Sequence, residues 1–252
     1  MIEAGGVLQY AFDLGQRRRP DGAALPSSWA QTPHVTRDHG QIIWQDIDAP
    51  SYAEAIEAEL AVARAAGAED LEWKLYSHDE PAGLAQALEA AGFLRQPTET
   101  ILVRASDLGP AAPILGLKIV KIHTLEQAIH CFNLALQTFG NNWDKTPEDL
   151  LRRALEKEPF WLAEFEDQPV AMGRLTRTEG SGFAGLYGGA SHPDYRRRGF
   201  YRPVVHARVQ AAAEMGCKWV FSEALPTSEP ILRALGFETL CQVTGYLYRF
   251  KD

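Results

Sequence analysis

Apolar positions in the second half of the chain switch between two periods, and the switches mark out strands and helices. Residues 117–122 read as a strand, and a Thr124/Gln127 capping box then opens a helix to about Phe139. Thr146 with Pro147 starts another helix to about Lys157, with proline at a tolerated first-turn position. Residues 161–165 and 169–176 read as strands joined by the polar turn at 166–168. The glycine-rich turn at 179–182 leads into a third strand, 183–191. Val204, Val205, Val209, Ala212 and Ala213 recur at helical spacing across 202–215. A strand at 218–223, a helix from Ser228 closed by Gly236, and a strand pair near Cys241 and at 246–250 complete this half.

The first half repeats part of that order. Ser51 and Glu54 form a capping-box pattern for an alanine-rich helix ending near Gly67. A strand at 71–76, a helix opened by Glu80-Pro81 and closed at Ala91-Gly92-Phe93, and a strand at 100–104 follow. The end of the chain has the same sequence of helix, strand, Glu229-Pro230, helix with Gly236-Phe237, and strand, so the first half reads as a shortened second copy. Pro110, Pro113 and two glycines interrupt the pattern between 107 and 116. The expected domains are therefore 1–110 and 114–252.

Composition narrows the function classes. The chain has 252 residues, 46% of them apolar and 23% charged, which is ordinary for a globular protein. A formal net charge of −8 argues against nucleic acid as a partner, because phosphate-backbone affinity needs clustered positive charge. Cys131, Cys217 and Cys241 are too scattered for a metal site or a disulfide framework. No metal is expected, and a reducing cytoplasm is the expected location. No apolar run reaches membrane-spanning length, so no membrane association is expected. Two basic runs stand out. Arg17-Arg18-Arg19 lies in a Pro/Gly-containing stretch and reads as a solvated loop, whereas Arg196-Arg197-Arg198 precedes a helix.

That second run carries the clearest chemistry. A strand ends at Ser191, a basic turn bearing Gly199 follows, and a helix opens at once. Such a turn collects unpaired main-chain N–H groups at the positive end of a helix dipole, where phosphate is held. The turn 192–201, with Arg196 and Gly199 at Arg-x-x-Gly spacing after His192-Pro193-Asp194-Tyr195, resembles the acyl-CoA pyrophosphate loop of the GNAT acetyltransferase family. Leu235-Gly236-Phe237 resembles the end of that family's last helix. The resemblance covers roughly residues 115–250. Tyr201 stands where the signature has a small residue, and Leu232 stands where many members carry a tyrosine acid.

The resemblance implies an α/β (α+β) fold: a mixed, mostly antiparallel central sheet flanked by helices, with a smaller N-terminal α/β unit resembling half of the same fold. It implies an acyl-CoA-dependent N-acyltransferase in which a small-molecule or peptide amine attacks the thioester of acetyl-CoA, or of another acyl-CoA, directly. Arg196, Arg197, Arg198, Gly199, Phe200, Tyr201 and Arg202 would hold the pyrophosphate, and the edge at Gly189, Ala190 and Ser191 would hold the pantetheine arm. Glu223 is the candidate base, Tyr187 a second catalytic candidate, and Trp143 and Glu164 candidate acceptor contacts. The alternative is a CoA-binding pseudoenzyme or interaction module without transfer, suggested by Leu232 and Tyr201. The N-terminal unit should not bind CoA, because Asp46 and Asp48 would repel a pyrophosphate at its helix entrance. Monomer and homodimer both remain open.

Overall fold

The structure is a computed structural model that describes residues 2–79, 81–140 and 146–250. In chain order its elements are α1 (Ile2–Gln16), β1 (Trp29–Gln31), β2 (Val35–Asp38), β3 (Gln41–Gln45), α2 (Tyr52–Ala65), β4 (Asp70–Tyr76), α3 (Leu84–Ala90) and β5 (Leu94–Ala105). There follow β6 (Leu117–Lys121), α4 (Leu125–Phe139), α5 (Pro147–Glu156), β7 (Phe160–Phe165), β8 (Gln168–Arg177), β9 (Phe183–Ser191), α6 (Tyr201–Glu214), β10 (Trp219–Ala224), α7 (Glu229–Arg233) and β11 (Glu238–Arg249). Contacts divide the chain into two compact units. One comprises the described residues up to Leu102 together with those from Glu223 onward, and the other runs from Val103 to Ser222.

In the first unit the strand order is β1-β2-β3-β4-β11-β5. Alternation along β4 gives its two faces different chemistry. Leu71, Trp73 and Leu75 are buried with Ile42, Tyr52, Ile56, Leu84, Leu88 and Phe93, forming the core under α2 and α3. Glu72, Lys74 and Tyr76 take the other face. The antiparallel register sets Gly245 of β11 opposite Lys74, and a side chain at Gly245 would collide with the Glu72 carboxylate. Glycine there leaves room for a polar cluster.

The basic run at 17–19 is not a solvated loop. Arg17 is 1% exposed and follows α1 directly. Its guanidinium donates to Asp13 (2.7 Å) one helical turn back and to the Ile43 carbonyl (2.9 Å), pairs with Asp79, and lies 3.8 Å from the Tyr76 ring centre. Arg18 stacks over Trp44. This buried arginine is paired with two carboxylates, Asp13 close by in sequence and Asp79 far from it, and is further held by the Ile43 carbonyl. Three further local expectations also change. Ser51 makes no side-chain cap, because a 3-10 turn at Ala49–Ser51 precedes α2. The short strands β1 to β3 form an antiparallel meander absent from the sequence reading. The closing strand pair is one continuous strand, β11.

The second unit follows the sequence pattern closely. Its strands run β10-β9-β8-β7-β6, antiparallel except for the β9/β10 pair. Thr124 and Gln127 close the capping box of α4, and Thr146 caps α5 by accepting from the Asp149 N–H. Ile122, Leu134, Leu150, Phe160, Leu162 and Met172 fill the core between the sheet and these helices. The three cysteines are free and buried, and burial pushes the Cys131 and Cys241 thiols up. Among the described residues no side-chain cluster could hold a metal ion, and no helix is long and apolar enough to cross a membrane.

Candidate functional site

Strand β9 builds one wall of the site. It pairs with β8 as far as Ser191 opposite Ala171, but its parallel ladder with β10 stops at Gly185 opposite Phe221. Beyond that point the second edge of β9 carries no strand partner among the described residues. The β8/β9 register slips between Met172 and Arg174, where two residues of β9, Gly188 and Gly189, face one of β8. Gly188 takes φ +58°, so the bulge is built on a conformation that glycine adopts without strain. Bare main chain and an unpaired edge therefore coincide at 188–191, which suits a ligand bearing amides of its own.

The loop after β9 makes a second, anionic-ligand feature. Arg197 (φ +64°) and Gly199 (φ +82°) lie in the left-handed region and curl the chain from Arg196 into α6. A Cβ built on Gly199 would meet nothing within 4 Å, so the space in front of it is open. The main-chain amides from Arg197 to Tyr201 donate to no acceptor among the described residues. The first turn of α6 contains no acid, and its N-cap Phe200 supplies no side-chain bond. Arg196, Arg197, Arg198 and Arg202 are exposed around these donors. A diphosphate fits such a cradle: unpaired N–H groups, the positive end of a helix and four cations. Phe200 contributes only its main chain, since its ring is buried and stacked on Phe165 at 4.8 Å.

Tyr201 does not fill the cradle. Its ring turns back over β9, and a Cβ at Gly189 would collide with its phenolic oxygen. The phenol accepts a hydrogen bond of 2.9 Å from Arg208, which like Arg17 is fully buried. Arg208 was not legible as a site residue, because helical periodicity assigns its position to an apolar face.

The remaining candidates scatter. Tyr187 lies on β9 with its ring edge-on to Phe221 at 5.9 Å and Arg174 5.6 Å from its centre. Glu164 lies under α4 with His130 Nδ1 at 3.5 Å. Trp143, with Asp144, falls outside the described residues. Glu223 belongs to the first unit, where its carboxylate takes a 2.7 Å bond from Lys74. Beside it is Glu99, which sequence reasoning missed. Burial, then the Glu223 charge, push the Glu99 carboxyl up to about 7, and its side chain hydrogen-bonds Glu223. Burial likewise raises Glu72 above its ordinary value. Three carboxyls therefore share one lysine.

Comparison with known proteins bears on this arrangement. Residues 128–237 match the model of the acetyltransferase (GNAT) family, a span that includes β9, the basic loop and α6. No curated protein matches the sequence. Among solved structures, a GCN5-related N-acetyltransferase from Kribbella flavida is similar at 16% identity and TM-score 0.64, covering 98% of this chain and 96% of that one. A functionally unknown conserved protein from Staphylococcus epidermidis is similar at 9% identity and TM-score 0.67, covering 92% and 97%. A tandem GNAT protein from the clavulanic acid biosynthesis pathway is similar at 15% identity and TM-score 0.60, covering 100% and 97%. At these identities the likeness is one of fold.

Proposed function

We propose that this chain, which belongs to the GNAT acetyltransferase family and is an N-acetyltransferase, moves an acetyl group from acetyl-CoA to a primary amine by direct attack on the thioester. The observation that carries the reading is the open cradle at Gly199, with its unpaired amides and surrounding arginines, set at the end of the half-free strand β9.

In this reading the amides from Arg197 to Tyr201 and the α6 dipole hold the pyrophosphate, and Arg196, Arg197, Arg198 and Arg202 add charge. The free edge at Gly189, Ala190 and Ser191 takes the pantetheine amides as an added strand would. A main-chain N–H of the same stretch stabilises the oxyanion that forms as the amine adds to the carbonyl carbon. Glu223 is proposed as the proton acceptor for the ammonium. Tyr187 is proposed to border the reacting groups, and Trp143 and Glu164 to contact the acceptor. We assign transfer to residues 114–252 and a supporting, non-catalytic role to residues 1–110, as in a tandem arrangement with one degenerate copy. Three free buried cysteines support a reducing, cytoplasmic setting.

The test is thiol release from acetyl-CoA across a panel of primary amines: small amines, amino acids, aminoglycosides and peptide N-termini. Release that needs both protein and amine supports transfer. A second reading, CoA binding without transfer, is favoured by the buried apolar Leu232, and it requires acetyl-CoA binding with no release above the protein-free rate.

A further inference from the structure

Arg208 keeps unusual company for a buried cation. Its side chain is fully buried, yet no carboxylate pairs with it among the described residues. Nε donates to the Val204 carbonyl (3.2 Å), Nη1 to the carbonyls of Arg174 (3.2 Å) and Tyr187 (3.4 Å), and Nη2 to the Tyr201 phenol (2.9 Å). An isolated charge in such surroundings is costly to hold. The fold nevertheless clears space for it. A Cβ at Gly173 would lie 2.5 Å from Nη1, and a Cβ at Gly189 would occupy the place of the phenolic oxygen. Two glycines on adjacent strands, at the bulge itself, thus admit one guanidinium and one hydroxyl.

The direction of the hydrogen bond matters. A guanidinium only donates, so the phenol oxygen must accept from it, and the single phenolic hydrogen is left for another acceptor. That oxygen lies against Gly189, in the part of β9 beyond the end of the β10 ladder.

We propose that Tyr201 is the general acid of the transfer reaction and that Arg208 is its positioning partner. The inference rests on the acyl-CoA reading above. As the acceptor nitrogen bonds to the thioester carbon, the carbon–sulfur bond breaks and its electron pair moves to sulfur. The sulfur takes the phenolic proton and leaves as the free thiol of CoA. The tyrosinate left behind forms a neutral buried pair with Arg208, and the proton shed by the acceptor nitrogen restores the phenol. Leu232, buried and apolar, has no proton to give, whereas Tyr201, the first residue of α6, has one.

A tyrosine at this position has a rival explanation: it merely obstructs the cradle. The two differ in what a small residue does there. Enzyme-dependent thiol release from acetyl-CoA, to water and to the amine panel, is measured for the wild type, Tyr201→Phe and Tyr201→Gly, beside calorimetric titration of each with acetyl-CoA. We expect both variants to lose release by about 100- to 10,000-fold. Tyr201→Phe, which keeps the ring, should bind acetyl-CoA within about threefold of the wild type. A Tyr201→Phe rate within about threefold of wild type, or a Tyr201→Gly variant faster than wild type, overturns the acid role while leaving the transferase reading intact. A wild type that binds acetyl-CoA but releases no thiol overturns the acid role and leaves the binding-only reading. A wild type that does neither overturns both.

Discussion

Lys74 Nζ lies 2.7 Å from Glu223 Oε2, and both side chains are nearly buried, at 11% and 13% exposure. Glu72 stands two residues before Lys74 on the same face of β4, Gln41 donates to its carboxylate at 2.7 Å, and Glu99 bonds to Glu223. The lysine is the cation that makes this concentration of carboxyls tolerable, because charges withdrawn from water must be paired.

Replacing Lys74 with Met should therefore destabilise the protein by about 3 kcal/mol, the scale for removing one partner of a buried ion pair. The loss should be greater at pH 8 than at pH 5, where the orphaned carboxyls can take up protons. The double variant Lys74→Met/Glu223→Gln should recover part of it. Urea denaturation at the two pH values measures all three effects.

Glu99 provides a separate pH signature. Its carboxyl is raised from 4.5 to about 7, so the folded protein holds a proton there that the unfolded chain has already released. Its contribution to stability is complete below the unfolded value and is lost as pH rises through the folded one. Glu99→Gln keeps a neutral side chain at every pH. Its stability relative to wild type should rise between pH 5 and pH 8, and a flat difference in thermal melts across that range would refute the assignment.

The second unit was largely readable because its elements announce themselves locally. Thr124 with Gln127, Thr146 with Pro147, and the glycine turn before β9 each act within a few residues, and the structure realises all of them. The first unit was less legible because its organising contacts are distant. Arg17 reaches Ile43 and Asp79, 26 and 62 positions away, so nothing near it in the sequence marks it as buried. The site divided in the same way. The basic turn is a local motif, and it appears with the expected open glycine. Arg208 is anchored 34 residues away at the Arg174 carbonyl, through a bulge that only strand pairing reveals. Glu99 gains its character from burial and then from Glu223, 124 positions away, which no periodicity can signal.

Gly173 should be intolerant of even one methyl group. Gly173→Ala places a Cβ 2.5 Å from the Arg208 guanidinium, which is locked by four hydrogen bonds and cannot withdraw into solvent. We expect a loss of about 1–3 kcal/mol from overpacking. Gly109→Ala, where nothing lies within 4 Å and φ is ordinary, should change the melting temperature little and serves as the control.

The arginines of the loop should act as point charges toward a phosphate-bearing ligand rather than as parts of the core, since Arg196, Arg197 and Arg198 are all exposed. The double variant Arg197→Ala/Arg198→Ala should weaken acetyl-CoA binding by about tenfold at low salt, with a smaller effect at 0.5 M salt, where screening is strong. Its melting temperature should match the wild type.

The central claim is that the main chain around Gly199 holds the diphosphate of acyl-CoA. Calorimetric titration of acetyl-CoA into the wild type and into Gly199→Glu tests it most directly, because the substituted side chain enters the open space beside the unpaired amides and opposes the ligand's charge. The expected result is a single saturable site in the wild type and a loss of at least about tenfold in affinity in the variant, with the variant still folding cooperatively. Absence of heat in the wild type, or equal affinity in the two proteins, would contradict the claim.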